Sequence, residues 1–392
     1  MVSCSKKEVT DLKETLRALI ADTVFIPLFY LLRLFPIKKN KVVFSSFFGR
    51  GYGDCPARIC DRLMSRRVDV DAVWVVSDPS LTLPTGVRSV RLRSLGWVYE
   101  LVTAAVWVDN CRKPPYVRKR RGQKYIQTWH GDVCVKAIEA DAAATLSPRY
   151  VASAINDSKM ADLVVSGCEW RTENIKSSFW YSGEILRAEL YPPPRLDTRE
   201  RLALRATLGI DPSTRVALYA PTFRKNGGVE VYDLNFDALI SSLSEKFGGV
   251  WCVVLRLHPN VASRQGSLSY NDRIKNGSLL PDVAPLLALS DVVLTDYSGL
   301  MFDVLRLKKP LFLYGNDLES YVREDRPLYF DLEKPPFVFS RSNAELIERI
   351  AKFDYPAYLS SVNDFVDSLG YYENDGVGIV CNAIEKMLGR NI

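Results

Sequence analysis

The segment Ser290-Asp-Val-Val-Leu-Thr-Asp-Tyr-Ser-Gly299 decides the fold class of this 392-residue chain. Its apolar run predicts a short buried strand that ends at Thr295, and Ser298 is a residue type that favours the start of a helix. A hydroxyl and backbone amides at a helix start form a ready site for phosphate oxygens. Ser298 as a plain helix cap is the alternative, and both roles can hold together. Asp296 would repel phosphate unless it orients a base or a hydroxyl.

The same alternation of strand and helix extends in both directions from this segment. In the second half we predict strands over 215–220, 250–257, 292–295 and 310–314, with helices near 235–246, 283–289, 298–307 and 343–352. In the first half we predict strands over 41–47, 70–77, 104–108 and 125–129. Such alternation favours parallel sheets that are covered by helices on both faces.

The segment Tyr191-Pro-Pro-Pro-Arg195 separates the two series and is stiff and poorly helical. We place a domain boundary there, which gives an N-terminal segment over 1–40, one domain over 41–193 and another over 194–392. The last helix is expected to pack back on the first of these domains. The predicted fold class is therefore α/β, with two Rossmann-like domains that face a central cleft.

In the N-terminal segment, basic side chains flank a short apolar stretch. The uninterrupted part, 24–32, is far shorter than the roughly 20 apolar residues that span a bilayer, and no signal-peptide cleavage site follows. Two interpretations stay open: a helix in the membrane interface, with Phe25, Phe29, Tyr30 and Phe35 inserting their rings, or an ordinary packed helix. Eight cysteines without a close C-x-x-C pair favour reduced thiols in the cytosol.

A basic run lies just before the strand predicted over 125–129. It contains Arg112, Lys113, Arg118, Lys119, Arg120, Arg121 and Lys124. Such a run is typical either of a solvated loop or of a patch that binds phosphates, whether of lipid headgroups or of a polyanionic acceptor. No nucleic-acid-binding motif accompanies it, so nucleic acid is not an expected partner.

The chain has two histidines, and each follows a predicted strand. His130 lies in Gln127-Thr-Trp-His-Gly-Asp132, and His258 lies in Leu255-Arg-Leu-His-Pro-Asn260. The carboxyl ends of strands are where open α/β sheets place their ligands, and histidine is a natural general base near neutral pH. A lone histidine is more often structural, but two at equivalent places favour a functional pair. The sequence has no Walker-type loop and no metal-ligand spacing, so neither a metal nor another cofactor is expected.

Seven short segments occur in order along the chain. They are SFFGRGYGDCP (46–56), TWHG (128–131), PRLD (194–197), YAPTFR (219–224), LHP (257–259), TDYS with FD (295–298 and 302–303) and GNDLESY (315–321). Together they resemble the CDP-glycerol glycerophosphotransferase family, whose members build teichoic acids and related capsule polymers. The chain departs from that family at Gly299, where a second serine is common, at Arg326-Pro327, where Arg-Gly is common, and at Pro335-Pro336, where Pro-Gly-Pro is common.

The resemblance implies two domains of the GT-B type, with the CDP-alditol in the C-terminal domain and the acceptor and membrane at the N-terminal one. A mechanism that fits, and that we expect, is direct attack by an acceptor hydroxyl on the β-phosphorus of CDP-glycerol, with CMP leaving. His130, oriented by Asp132, is the expected base, and His258 is the second member of the pair. The other expected donor contacts are Arg195, Arg224, Thr295, Asp296, Ser298 and Arg326, and the expected acceptor or membrane contacts are Arg118, Lys119, Arg120 and Arg121.

The expected enzyme is a peripheral protein at the cytoplasmic face of the bacterial membrane. It adds glycerol phosphate to an undecaprenyl-diphosphate-linked saccharide, and the short chain favours a single addition over polymerisation. Three alternatives stay open: CDP-ribitol as the donor, a GT-B glycosyltransferase that uses a nucleotide sugar, and a non-catalytic membrane scaffold.

Overall fold

The computed structural model of the chain describes residues 20–66, 69–222, 234–257, 270–280, 282–324 and 326–389. They form two compact units. The first contains residues up to Asp132, Ile138–Tyr191, and residues from Tyr371 onward, and the second contains Val133–Ala137 and Pro192–Gly370. The short segment Val133–Ala137 therefore belongs to the second unit although both of its neighbours along the chain belong to the first.

Each unit is built on a parallel sheet. The strands of the first are β1 (Lys38–Ser45), β2 (Asp71–Val76), β3 (Val87–Arg91), β4 (Ala104–Asp109), β5 (Lys124–Gln127), β6 (Leu163–Ser166) and β7 (Glu184–Arg187). Those of the second are β8 (Arg215–Tyr219), β9 (Trp251–Leu255), β10 (Ile274–Asn276), β11 (Val292–Thr295), β12 (Leu311–Tyr314) and β13 (Val338–Ser340). The spatial orders are β3-β2-β1-β4-β5-β6-β7 and β10-β9-β8-β11-β12-β13. Both contain the 3-2-1-4-5-6 order of doubly wound nucleotide-binding folds, which confirms the predicted α/β class with two Rossmann-like units.

Helices connect the strands and cover the sheets. They are α1 (20–31), α2 (Asp54–Ser65), α3 (Leu95–Thr103), α4 (Pro148–Met160), α5 (Glu169–Ser178), α6 (Thr198–Leu208), α7 (Phe236–Phe247), α8 (Ala284–Leu289), α9 (Leu300–Arg306), α10 (Leu318–Glu324), α11 (Asn343–Ala351), α12 (Tyr355–Leu369) and α13 (Gly376–Met387).

The core of the first unit lies on both faces of β1. Val42 and Phe44 point to one face and Val43 to the other, because successive side chains of a strand alternate. On the first face, α13 brings Cys381 against α2, where its thiol lies 3.6 Å from the carbonyl oxygen of Ile59. The last helix thus packs within the first unit. A strand buried on both faces explains why β1 appears in the sequence as a continuous apolar run.

The strand order reverses at one point in each sheet, and there the loops after neighbouring strands diverge. In the first sheet this point lies between β1 and β4, and in the second it lies between β8 and β11. Open α/β sheets bind ligands in the crevice that this divergence leaves at the carboxyl ends of the strands. The loops after these four strands are therefore the places to look for a site.

Helix α1 combines the two interpretations of the N-terminal stretch. Phe25 stacks on Tyr116 with ring centroids 4.9 Å apart, and Phe29 is fully buried and meets Trp97 edge-on at 5.9 Å. Phe29 lies in the core and Phe25 packs against it, which favours the packed-helix interpretation for these two rings. The opposite side and the turn that follows leave other apolar side chains exposed, namely Tyr30, Leu31, Leu34 and Phe35. Over the described residues, no helix is both long and apolar enough to cross a membrane.

Candidate active site

His130 follows β5 in a loop whose geometry fixes the histidine ring. Trp129 has a φ of 56° and Gly131 a φ of 132°, and the indole of Trp129 stacks on the His130 ring at 4.4 Å. Nδ1 of His130 lies 2.8 Å from the backbone carbonyl oxygen of Asn110. A carbonyl can only accept a hydrogen bond, so Nδ1 carries the proton of the neutral ring and Nε2 keeps its lone pair. That lone pair is what a general base needs.

The surroundings of His130 favour its neutral form. Part of the ring is open to solvent, but protein atoms crowd it from other directions, and this loss of water lowers its pKa from the ordinary 6.5. The hydrogen bond to Asn110 and the carboxylate of Asp54 act in the opposite direction without reversing the shift. A neutral Nε2 is therefore present at pH 7.

Asp132 was expected to orient His130, and the structure gives that role to the Asn110 carbonyl instead. The Asp132 carboxylate accepts a 2.9 Å hydrogen bond from the backbone amide of Gly167, and its carbonyl accepts one from the guanidinium of Arg171. Asp132 is buried and fixes the end of the His130 loop against the residues that follow β6.

Asn110 is a functional residue that the sequence analysis missed. Its side chain is fully buried at the point where the sheet order reverses, and it joins the loops after β1 and β4. Oδ1 accepts from the amide of Phe47 at 2.9 Å, while Nδ2 donates to Asp54 Oδ2 at 2.6 Å and to Ser46 Oγ at 3.2 Å. One residue therefore orients His130 through its backbone and shapes the 46–54 loop through its side chain.

The first two cations of the basic run are internal. The Arg112 guanidinium pairs with Glu139 at 2.8 Å and with Asp157 at 3.1 Å, and Lys113 pairs with Asp109 at 2.7 Å. All five side chains are buried. The Arg112 guanidinium carbon also lies 5.4 Å from the centroid of the Trp129 ring, so this buried cluster packs against the His130 loop. Arg112 and Lys113 are thus not available to phosphates, unlike the expectation for the run as a whole.

The remaining cations of the run are half-buried or exposed, and residues 119–120 contact the segment that follows α1. Arg118 donates to the carbonyl of Val117, Lys119 pairs with Asp162, and Arg120 donates to the carbonyl of Phe35 at 2.8 Å. Arg121 is exposed. The hydrogen bonds of Arg118 and Arg120 go to neutral carbonyls, which leaves the charge of these two guanidinium groups without neutralisation by those contacts.

In the second unit, Thr295 and Asp296 hold loops together. The Thr295 hydroxyl donates to the carbonyl of Ala220 at 2.7 Å, and Asp296 accepts from the amide of Thr222 at 2.9 Å and from that of Tyr297 at 2.7 Å. Both side chains are buried and take part in these structural bonds, and their expected contact with a donor phosphate stays a prediction. They join the loops after β8 and β11, where this second sheet reverses its order.

Ser298 and Gly299 follow these buried residues and reach solvent. Ser298 is half-buried, and its hydroxyl lies 3.4 Å from the amide of Leu300 at the start of α9. Gly299 follows with a φ of −60°, and a Cβ placed there would lie 3.8 Å from the carbonyl oxygen of Val133. Val133 belongs to the segment 133–137, which pairs with the loop after Arg326 through Ala137 and the carbonyl of Pro327 at 2.8 Å.

The other expected site residues are either partly exposed to solvent or lie outside the described residues. Arg326 is half-buried, and Arg195 is exposed in the linker that precedes α6. His258 and Arg224 lie outside the described residues, so their expected roles stay predictions. Over the described parts of the chain, His, Cys, Asp and Glu side chains nowhere gather in threes as a metal ion requires.

Sequence and structure comparisons identify relatives of this chain. The family described as CDP-Glycerol:Poly(glycerophosphate) glycerophosphotransferase matches residues 28–382. The teichoic acid glycerol-phosphate transferase of Staphylococcus aureus is 28% identical over 91% of this chain and 93% of its own. The solved structure of the wall teichoic acid polymerase TagF has a TM-score of 0.79 and 25% identity, and the match covers 97% of this chain and 98% of that one.

A third relative bears on chain length. The teichoic acid poly(glycerol phosphate) polymerase of Bacillus spizizenii is 26% identical over 93% of this chain, and the match covers 96% of the polymerase. Because a polymerase of matching length exists, the length of this chain does not distinguish a single addition from polymerisation.

Proposed function

On the premise that this chain is a transferase of the CDP-glycerol:poly(glycerophosphate) glycerophosphotransferase family, to which it belongs, we propose that it transfers glycerol phosphate from CDP-glycerol in teichoic acid synthesis. The acceptor is a hydroxyl of an undecaprenyl-diphosphate-linked saccharide. The observation that carries the proposal is the hydrogen bond from His130 Nδ1 to Asn110, which leaves Nε2 unprotonated at the sheet edge where ligands bind.

In the proposed reaction the acceptor oxygen attacks the β-phosphorus of CDP-glycerol. A new P–O bond forms, the bond from the β-phosphorus to the bridging oxygen breaks, and CMP leaves with that electron pair. Nε2 of His130 accepts the proton of the attacking hydroxyl. Such general base catalysis contributes about 10²–10⁴-fold to the rate.

The donor side of the proposed site lies in the second unit. Ser298 offers a hydroxyl to the pyrophosphate, and Arg326 offers a charge; His258 and Arg224 are assigned to the same pyrophosphate from the family pattern alone. Asp296 contributes by fixing the loop.

We further propose that the surface at the end of α1 binds the cytoplasmic face of the membrane. Leu31 and Leu34 are 60% and 84% exposed, and Arg120 donates to the carbonyl of Phe35, the residue that follows Leu34. Apolar side chains beside cations favour the interface of an anionic bilayer. Leu34→Asp should weaken sedimentation with anionic vesicles, and a loss equal to that of Leu202→Asp, an exposed leucine of the second unit, would contradict this assignment.

The experiment that tests the activity is CMP release by the purified chain from CDP-glycerol and from CDP-ribitol. The acceptor is a synthetic lipid-diphosphate disaccharide, and the product mass is recorded. One added glycerol phosphate would identify initiation, and a ladder would identify polymerisation. CMP from CDP-ribitol alone would change the donor, and UDP or GDP release from nucleotide sugars would replace the proposal by glycosyl transfer. Absence of turnover with every donor would favour a scaffold.

A further inference from the structure

Two adjacent phenylalanines stand out beside the candidate base. Phe47 and Phe48 follow β1 and are 42% and 45% exposed, although large apolar side chains gain most when they are buried. Both have left-handed backbone conformations, with φ of 43° and 59°, which residues with a side chain rarely adopt. Strained backbone of this kind clusters at catalytic and ligand-binding sites, so the two exposed rings are candidates for contact with a ligand.

Hydrogen bonds fix the loop that carries Phe47 and Phe48. The Phe47 amide donates to Asn110 Oδ1, and both the amide and the hydroxyl of Ser77 donate to the carbonyl of Gly49, at 2.8 and 2.9 Å. Gly49 has a φ of 78°, and a Cβ there would lie 2.8 Å from the Ser77 nitrogen, so only glycine fits. The loop is therefore fixed from both ends, and the two rings project from a rigid support.

Phe47 is the ring that lies next to the base. Its centroid is 5.9 Å from that of the His130 imidazole, and the two planes are inclined by 59°. A molecule that places a hydroxyl at the imidazole is therefore within contact distance of the Phe47 ring. Rigid aromatic faces offer a large contact area at little cost in conformational freedom, and they line most small-molecule sites.

The same loop carries one cation, the exposed Arg50, and one carboxylate, Asp54. Asp54 is half-buried, and its carboxylate is held by Asn110 and by the amide of Cys55 at 2.7 Å. This carboxylate accepts hydrogen bonds from neutral hydroxyls, and with Arg50 on the same loop the two opposite charges leave no net charge that would select a polyanion. An aromatic face beside a carboxylate acceptor matches a neutral sugar ring, whose C–H face contacts the aromatic ring while its hydroxyls reach the carboxylate.

We propose that Phe47 forms an acceptor subsite that stacks on a neutral sugar ring and brings its hydroxyl to Nε2 of His130. The inference rests on the proposed function and makes it more specific, because it assigns contact with the acceptor's sugar ring to one side chain beside the base.

The test uses the full chain, CDP-glycerol, and two soluble acceptors on a short lipid diphosphate: the disaccharide, and the same disaccharide extended by a glycerol phosphate trimer. Phe47→Ala should raise the KM for the disaccharide by roughly tenfold and leave the KM for CDP-glycerol unchanged. Phe47→Trp should restore binding, and Phe47→Leu, which keeps apolar bulk without an aromatic face, should not. Phe48→Ala is the matched control, because it is equally exposed on the same loop.

Three results would overturn the inference. The first is an unchanged disaccharide KM in Phe47→Ala, and the second is a wild-type preference for the extended acceptor. The third is lost sedimentation with anionic vesicles alongside unchanged kinetics on the soluble acceptor, which would assign the ring to the membrane. Calorimetric titration of the disaccharide into wild type and Phe47→Ala measures the subsite without turnover. It therefore decides this inference even if CDP-glycerol proves not to be the donor.

Discussion

The backbone carbonyl of Asn110 binds Nδ1 of His130 at 2.8 Å, while the side chain of the same residue supports the 46–54 loop. The tautomer of the base and the shape of the adjacent loop therefore depend on one buried position. Because the first task belongs to the backbone and the second to the side chain, mutation can separate them.

Replacement of His130 should abolish most of the activity. His130→Gln is expected to lower turnover by at least about 10²-fold, since the proton acceptor is lost while the ring's volume is largely kept. In the wild type, activity should fall on the acid side as Nε2 takes up a proton, with an apparent pKa below the ordinary 6.5 of histidine. The measurement is kcat/KM against pH, and the thermal melt serves as the folding control. Near-normal turnover in the folded variant would exclude His130 as the base.

Loss of the Asn110 side chain should damage the acceptor side more than the donor side. Asn110→Ala leaves the amide of Phe47 and the carboxylate of Asp54 without their buried partner, which should destabilise the fold by about 1–3 kcal/mol. The carbonyl that binds His130 survives the change, so the acid limb of the pH profile should keep its position. Steady-state kinetics with each substrate varied in turn provide the measurement. A shifted acid limb with an unchanged acceptor KM would contradict the separation of the two tasks.

A hydroxyl added at position 299 tests whether the loop between β11 and α9 contacts the donor. The φ of −60° at Gly299 suits any residue, and the 3.8 Å approach to the Val133 carbonyl leaves room for a Cβ. Gly299→Ser should therefore fold normally and lower the KM for CDP-glycerol roughly three- to tenfold, if the loop contacts the pyrophosphate. Gly299→Ala adds the same Cβ without the hydroxyl and is the control. Identical donor kinetics in the two variants would remove this loop from the donor site.

Arg112 is expected to matter for stability. Arg112→Ala leaves Glu139 and Asp157 as uncompensated buried charges, which should cost about 3–5 kcal/mol. Burial already raises the pKa of Asp157, and removal of the cation that opposes this shift should raise it further. Urea unfolding measures the effect, with the exposed Arg121→Ala as a control expected to stay within about 0.5 kcal/mol of wild type. Equal unfolding midpoints for the two variants would contradict the buried cluster.

The sequence predicted the central strands well and the outer strands poorly. β1, β4, β8 and β11 are buried on both faces and therefore appear as apolar runs, whereas β7 (Glu184–Arg187) has charged ends and β13 (Val338–Ser340) has only three residues. Edge strands need only one paired neighbour, so a weak local pattern is sufficient once the sheet exists.

At the site, the sequence located His130 but not the group that orients it. That group is a backbone carbonyl, which every residue type has, so the identity of Asn110 carries no sign of it. Asp132 was the natural candidate by proximity in sequence, whereas the actual partner lies 20 positions earlier, directly after the neighbouring strand β4. Likewise, the sequence around Arg112 shows only other cations, since its carboxylate partners Glu139 and Asp157 are 27 and 45 positions away.

Helix α13 has a consequence for the order in which the chain can fold during synthesis. Its Cys381 contacts the backbone of Ile59 in α2 across 322 positions, and the whole second unit is encoded between them. At about 5–20 residues per second, a ribosome needs on the order of tens of seconds to produce that interval. The apolar face of α2 is thus made early and covered late. The second unit, whose segment from Pro192 to Gly370 is continuous, can complete most of its core while the first still waits for its final helix.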